Sequence, residues 1–463
     1  MKLWIYWWNI VRQFRHCFSR EQTFLWFVLV LIGFSVRQDI AGVTSIIRCL
    51  GLNDFYYDRI LDFFHSSAIK LNDLSSQWLK IVLKLNLHYK VNGRMIILGD
   101  GIKISKEGKK MPAVKSLHQD SDSNSKPEYI MGHSCQALTL LMTSCSYFFS
   151  LPLICRIHEG ITESNRDTRT QMDKMISMLN SLNIVEPFYL VADAYYANRK
   201  IVLGLLKSGQ HLITRVKKNA VAYMTVPSSG KVGRPKLYGD KICLNEILKQ
   251  VGLMSQATVD VYNEGATKIL YRHLDLLWKP VGCVVRFVFV VHPTKGSAVF
   301  MSTDISLEPL EIIKIYSLRF KIEVSFKQAV HTIGTYAYHF WMMTMDKIKR
   351  KSGGQYIHKK DENYREQVKK KMNAYHVYIQ VGLIAQGLLQ ILSMTSSELV
   401  WKYFGSWIRT IRPGILPSEA IVMNALRNTL PEFLKGTTSD ANIEKFILSK
   451  LDLGRTEGQR MVA

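Results

Sequence analysis

Two short apolar runs constrain this chain more than any other feature, because each hands an aspartate to the residues just past it. Met95-Ile96-Ile97-Leu98 leads into Gly99-Asp100-Gly101, and Phe188-Tyr189-Leu190-Val191-Ala192 runs directly into Asp193. Apolar runs of this length, bounded by turn formers, read as buried strands. Between them, after a polar loop at His118–Lys126, lie two more strand-like runs, Ser134–Met142 and Tyr147–Ile157. Met172, Met175, Ile176, Leu179 and Leu182 then recur at helical spacing, with Ser164 or Asn165 as the expected cap. A helix at about Tyr196–Lys207 and a strand at His211–Val216 follow. The order βββαβαβ describes a mixed α/β sheet whose first and fourth strands each end in Asp.

After that the alternation stops. Residues 217–306 read as a β-rich insertion, with strands at Lys268–Leu274 and Cys283–Val291 and a turn at His292–Gly296 into Ala298–Ser302. One helix is expected from about Glu308 to His331, with Pro309 in its first turn. The stretch Asp346–Lys371 carries eight Lys and two Arg against four acids around Gly353-Gly354, which reads as a mobile basic loop. Helical periodicity resumes from Asn373 through Leu392. The resulting division is 1–88, a helical N-terminal region; 89–216, the first part of the core; 217–306, the insertion; 307–345, a helix completing the core; 346–372, the basic loop; and 373–463, a helical C-terminal region.

Composition narrows the function classes. With 463 residues, 47% apolar and 21% charged, the chain is neither collagen-like nor disordered. Its formal charge of +24 attracts polyanions, nucleic acid first among them. An unspecialised basic surface and an anionic membrane surface are the alternatives. Seven cysteines without a C-x-x-C pair argue against a disulfide framework or zinc knuckle, and for a reducing setting. His118, His133 and His158 lack Cys partners at zinc spacing. Phe24–Phe34 is strongly apolar but shorter than the ~20 residues of a membrane span, so it reads as a buried helix. Around Gly51, helices at Asp39–Leu50 and Asp54–Phe64 have helix-turn-helix-like spacing, which fits a DNA-reading element or an ordinary helical hairpin. Trp4, Trp7 and Trp8 beside Arg12 and Arg15 form either a phosphate-contacting face or a packing side.

The chemistry concentrates in three acids, Asp100, Asp193 and Glu323, carried by separate elements. Carboxylates that converge this way suit a pair of hard divalent ions working on a phosphodiester. Tyr316, Arg319, Glu323 and Lys327 are spaced by three, four and four, so on one helix they share a face. There Glu323 would bind metal, Arg319 and Lys327 would grip phosphates and Tyr316 would hydrogen-bond another; an exposed, ion-paired face is the alternative. Lys231–Lys236, with Arg234 and Lys236, has the form of a minor-groove hook or of a basic solvated loop. Trp278 is either a stacking partner for a base near the cut end or a core residue.

This order of acids, with Tyr316-Ser317-Leu318-Arg319-Phe320-Lys321-Ile322-Glu323, resembles the DDE transposases of bacterial insertion sequences, the RNase H-like group with a Y-x2-R-x3-E signature. The resemblance covers about Met95 to His331. It implies an RNase H-like fold, with Asp100, Asp193 and Glu323 as first, second and third acids holding two Mg2+ or Mn2+ ions. It further implies cleavage of double-stranded DNA at terminal inverted repeats, strand transfer into target DNA, a dimeric synaptic complex and a place at the nucleoid in bacterial cytoplasm. The group's pattern continues with a Lys seven residues after the Glu; here that position is Val330, and Lys327 is the nearest following Lys. A nuclease or resolvase that cuts without joining, and an inactive transposase-derived DNA-binding protein, are the alternatives.

Overall fold

Five helices open the chain. In the computed structural model, which describes residues 2–119, 127–226, 236–261, 265–405, 411–412, 414–435, 441–452 and 454, these are α1 (Lys2–Val11), α2 (Glu21–Val36), α3 (Gly42–Leu50), α4 (Tyr56–Phe64) and α5 (Leu71–Lys84). Gly51, with φ +62°, ends α3 in the left-handed conformation that glycine adopts without steric cost, and its N–H returns to the helix carbonyls. Every residue of α2 from Thr23 to Val36 is buried, which explains an apolar run without amphipathic period. Trp4, Trp7 and Trp8 are buried too, and Trp4 stacks on Phe433 at 4.9 Å. They form a packing side, so the phosphate-contacting alternative is removed.

The strands come next as β1 (Lys90–Val91), β2 (Arg94–Ser105), β3 (Lys115–His118), β4 (Tyr129–Ser144) and β5 (Tyr147–Ile157). After β6 (Ile161–Thr162) the chain makes α6 (Gln171–Ser181), β7 (Phe188–Ala192), α7 (Arg199–Lys207) and β8 (His211–Val216). The expected βββαβαβ order is therefore present as β2, β4, β5, α6, β7, α7 and β8. The cap of α6 is Thr170, in a reciprocal box with Asp173, and not Ser164 or Asn165.

Residues 217–306 form β9 (Val221–Tyr223), β10 (Lys241–Cys243), α8 (Leu244–Lys249), β11 (Ser255–Asp260), β12 (Ala266–Trp278), β13 (Cys283–His292) and β14 (Gly296–Ser302). These strands extend the core sheet, whose order is β10-β9-β12-β13-β14-β8-β7-β2-β4-β3, with β1 on β2, β5 on β4 and β11 on β12. β14 pairs antiparallel with β8 in the register Thr214↔Met301. That pairing covers an edge of β8 that would otherwise expose its backbone groups.

The helix expected from Glu308 to His331 is two helices, α9 (Pro309–Ser317) and α10 (Phe320–Gln328), and residues 329–333 then wind into a π-turn ended by Gly334. β15 (Gln355–Tyr356) pairs parallel with β6. α11 (Glu362–Thr395) starts behind Asp361, whose carboxylate accepts from Tyr364 N at 2.8 Å. The end of the supposed basic loop is thus the first turns of a helix, because Glu, Arg, Gln and Lys are good helix formers behind an Asp cap. The preceding segment is tied down as well: Ile348 N donates to Lys109 O at 2.7 Å and Ser116 N to Ser352 O at 2.8 Å. α12 (Ser397–Phe404), α13 (Glu419–Lys435) and α14 (Ala441–Leu448) complete the helical end. All seven cysteines are unpaired thiols.

By length and composition α11 could cross a membrane, yet its most apolar stretch is entirely buried inside the protein. It packs on β5, α2 and α13. At Gly387 a β-carbon would stand 2.3 Å from Cζ2 of Trp78. The Trp78 ring is fixed by its Nε1 bond to Pro152 O at 2.8 Å, so it has little room to retreat. Gly387→Ala should therefore destabilise: overpacking costs about 1–3 kcal/mol, against the ~1 kcal/mol that Ala gains over Gly in a helix. A urea midpoint equal to or above that of the unaltered chain would show that the ring yields.

Candidate active site

The parallel ladder between β2 and β7 ends at Gly99↔Ala192. The next residues, Asp100 and Asp193, therefore stand side by side where this parallel ladder ends, the edge at which open α/β sheets bind ligands. Asp193 does so at a strand end. Asp100 does not: β2 continues to Ser105 on its antiparallel partner β4, with Asp100 opposite Ala137. β4 outlasts β7, so the expected strand tip is a mid-strand position.

Both aspartates are held. The Asp193 carboxylate accepts from Tyr195 N at 3.1 Å, and its backbone carbonyl accepts from Thr214 Oγ1 at 2.7 Å. Asp100 Oδ1 accepts from Gly101 N at 2.8 Å. Glu323 comes from the first turn of α10, and Arg319 joins it to the sheet: Nη1 donates to Asp100 Oδ2 at 2.8 Å and Nη2 to Glu323 Oε1 at 2.7 Å. The Asp100 and Arg319 side chains are 17% and 18% exposed, that of Glu323 45%.

Two residues that the sequence did not single out hold α10 and the π-turn after it in place. Gln386 of α11 donates from Nε2 to Ser325 O at 3.0 Å and to Ser325 Oγ at 3.1 Å. Arg37, just past α2, donates from Nε to Ile333 O at 2.9 Å. Their one signal was a polar side chain inside or beside a long apolar run, and such a group must find a partner when buried.

Burial pushes Asp100 up to about 6; Arg319 pulls against this, while the charges of Asp193 and Glu323 add to it. Burial raises Asp193 as well, again opposed by Arg319 and reinforced by Glu323. Crowded carboxylates with one cation between them are short of positive charge. As they stand, no three His, Cys, Asp or Glu side chains among the described residues are grouped closely enough to hold an ion.

The other sequence candidates divide. Lys327 is exposed on α10. Tyr316 lies across the break, on α9, half-buried with its ring 4.6 Å from that of Phe300, so the face is not carried by one unbroken helix. Val330, where a Lys was expected, packs against the core from the π-turn. Trp278 is 6% exposed within the core and offers no face to a base, which corrects its candidacy as a stacking partner. Lys236 is exposed, while Arg234 lies outside the described residues. His133 is fully buried between Tyr338 Oη (2.8 Å) and Pro112 O (2.9 Å), a structural role.

Residues 101–330 match the family described as Transposase DDE domain. This stretch is similar to a transposase DDE domain. The match begins immediately after Asp100 and includes Asp193 and Glu323. Among solved structures, the chain is similar to a piggyBac transposase in a synaptic complex with hairpin DNA, at 13% identity and a TM-score of 0.35, over 94% of this chain and 77% of that one. No curated protein matches it. The matched stretch holds most of the large sheet with α9 and α10, and α1–α5 and α11–α14 lie outside it. The mixed sheet of the chain, with β2, β7 and β8 parallel and helical regions at both ends, is of the RNase H-like kind expected.

Proposed function

We propose that this protein is a DNA transposase in which Asp100, Asp193 and Glu323 hold two Mg2+ or Mn2+ ions. It cuts DNA at the ends of its element and joins the exposed 3′-hydroxyl to target DNA. The observation that carries the reading is the Asp100–Asp193 pair at the end of one parallel ladder, joined through Arg319 to Glu323 at the start of and within the stretch that matches a transposase DDE domain. The donor set fits such ions, since all three groups are hard oxygen ligands, and burial raises two of them against the pull of Arg319. When bound, the ions would activate the attacking oxygen and steady the leaving one.

The chain's own residues do the rest. The strand ladder and Thr214 fix where the two aspartates stand. Arg319, once released from the acids, has the planar fork that grips a phosphate with two parallel bonds. Lys327 and Tyr316 are assigned to neighbouring phosphates. The charge of +24 draws in the DNA. Action as a dimer on terminal inverted repeats, at the bacterial nucleoid, belongs to the same proposal.

Ion binding needs ionised carboxylates. Because Asp100 is raised from 3.8 to about 6, affinity for Mn2+ should climb as pH rises through about 6 and level off above it. Calorimetric titrations at pH 5, 6 and 7.5 check this, and a flat profile would count against Asp100 as a ligand. The functional test is to incubate the protein, a plasmid carrying the element's ends and Mg2+. Joined products support the reading; cuts without joining would make the protein a nuclease or resolvase.

A further inference from the structure

A cavity of about 710 Å3 opens beside Asp100 and Asp193, within the range of pockets that enclose a small ligand. Lys103, Lys115, Tyr195 and Tyr196 also line it. Tyr195 stands two residues past Asp193 and is 59% exposed. Its backbone N–H is bound by the Asp193 carboxylate at 3.1 Å, so the ring's root is pinned to the acid.

One side of the ring is backed by Tyr196, edge to face, with centroids 5.4 Å apart and planes at 87°. Tyr196 is itself anchored: Gln136 Nε2 donates to its hydroxyl at 2.9 Å, and Gln136 Oε1 is 2.6 Å from His158 Nδ1. The remaining ring surface is accessible. Lys115 lies 3.5 Å from Glu159, and Lys103 donates to His118 O at 2.5 Å. An accessible aromatic ring and two ammonium groups around one cavity match the parts of a nucleotide, a flat base and an anionic backbone.

We propose that Tyr195 stacks on the base of the nucleotide adjoining the scissile phosphate, and that this nucleotide occupies the cavity with Lys103 and Lys115 facing its backbone. The aromatic expected for that task, Trp278, is buried. The inference rests on the reading of Asp100 and Asp193 as a DNA-cutting site.

The test uses a nicked duplex carrying 2-aminopurine at the 3′ end of the nick, with Ca2+ as the divalent ion, and an intact duplex as control. The unaltered protein and Tyr195→Phe should quench the 2-aminopurine. Tyr195→Ala should not, and should bind the nicked duplex roughly 5- to 100-fold more weakly while holding the intact duplex equally well. Tyr195→Leu, which keeps bulk without a π face, should behave like the alanine variant. Quenching and affinity unchanged in both non-aromatic variants would overturn the stacking role, as would an unaltered protein that binds the nicked duplex without quenching. If the unaltered protein binds neither duplex, the DNA-cutting reading falls and takes this inference with it.

Discussion

Asp100→Asn, Asp193→Asn and Glu323→Gln should each leave DNA binding in place and slow Mg2+-dependent cleavage by roughly 10²–10³-fold or more. Each change removes a negative donor oxygen while keeping side-chain size and much of the local hydrogen bonding. Loss of activity through unfolding is not expected. The folded pKa of Asp100, about 6, lies above the ordinary 3.8. Its ionisation therefore penalises the fold, not at all below about pH 4, increasingly between about 4 and 6, and fully above that. Asn removes the penalty, and Arg319 retains Glu323 as a partner. Asp100→Asn should thus melt no lower than the unaltered chain at pH 7.5. Cleavage surviving at the normal rate in any one variant would remove that residue from the site.

Arg319→Ala should be the most destabilising single change at the site. It strips the one cation that joins Asp100 at 2.8 Å to Glu323 at 2.7 Å. Removing one partner of a buried pair costs roughly 3–5 kcal/mol; with Glu323 half exposed, about 2–3 kcal/mol is expected at pH 7.5 in EDTA. At pH 5 the loss should shrink, since Asp100 is then largely protonated. Divalent ions should stabilise the variant more than the unaltered protein, because they meet the same need for positive charge. Chemical unfolding at both pH values, with and without Mn2+, reads this directly. A variant as stable as the unaltered protein in EDTA at pH 7.5 would mean that Arg319 carries no such role.

What was legible in the sequence follows from burial. β5, β7 and β8 begin and end at the residues expected, because each is a mostly buried apolar run between turn formers or charges. β2 ran past its expected end because Gly101–Ser105 alternates in burial and carries no continuous apolar signal. The break between α9 and α10 has no Gly or Pro to announce it. α11 hid in two ways: its first turns carry charges that resembled a loop, and its later turns are buried on all sides. Asp100, Asp193 and Glu323 could be nominated from position and spacing. The reach of Arg319 to Asp100, 219 residues away in sequence, could not, nor could the exposure of Tyr195 against the burial of Trp278. Those depend on which faces meet after folding.

Direct titration of Mn2+, followed by the paramagnetic resonance signal of the unbound ion, weighs most on whether these carboxylates act together as one ion site. The unaltered protein at pH 7.5 should take up two ions, and Asp100→Asn, Asp193→Asn and Glu323→Gln should each lose an ion or bind at least about 10-fold more weakly. Uptake by all three variants indistinguishable from that of the unaltered chain would contradict the assignment.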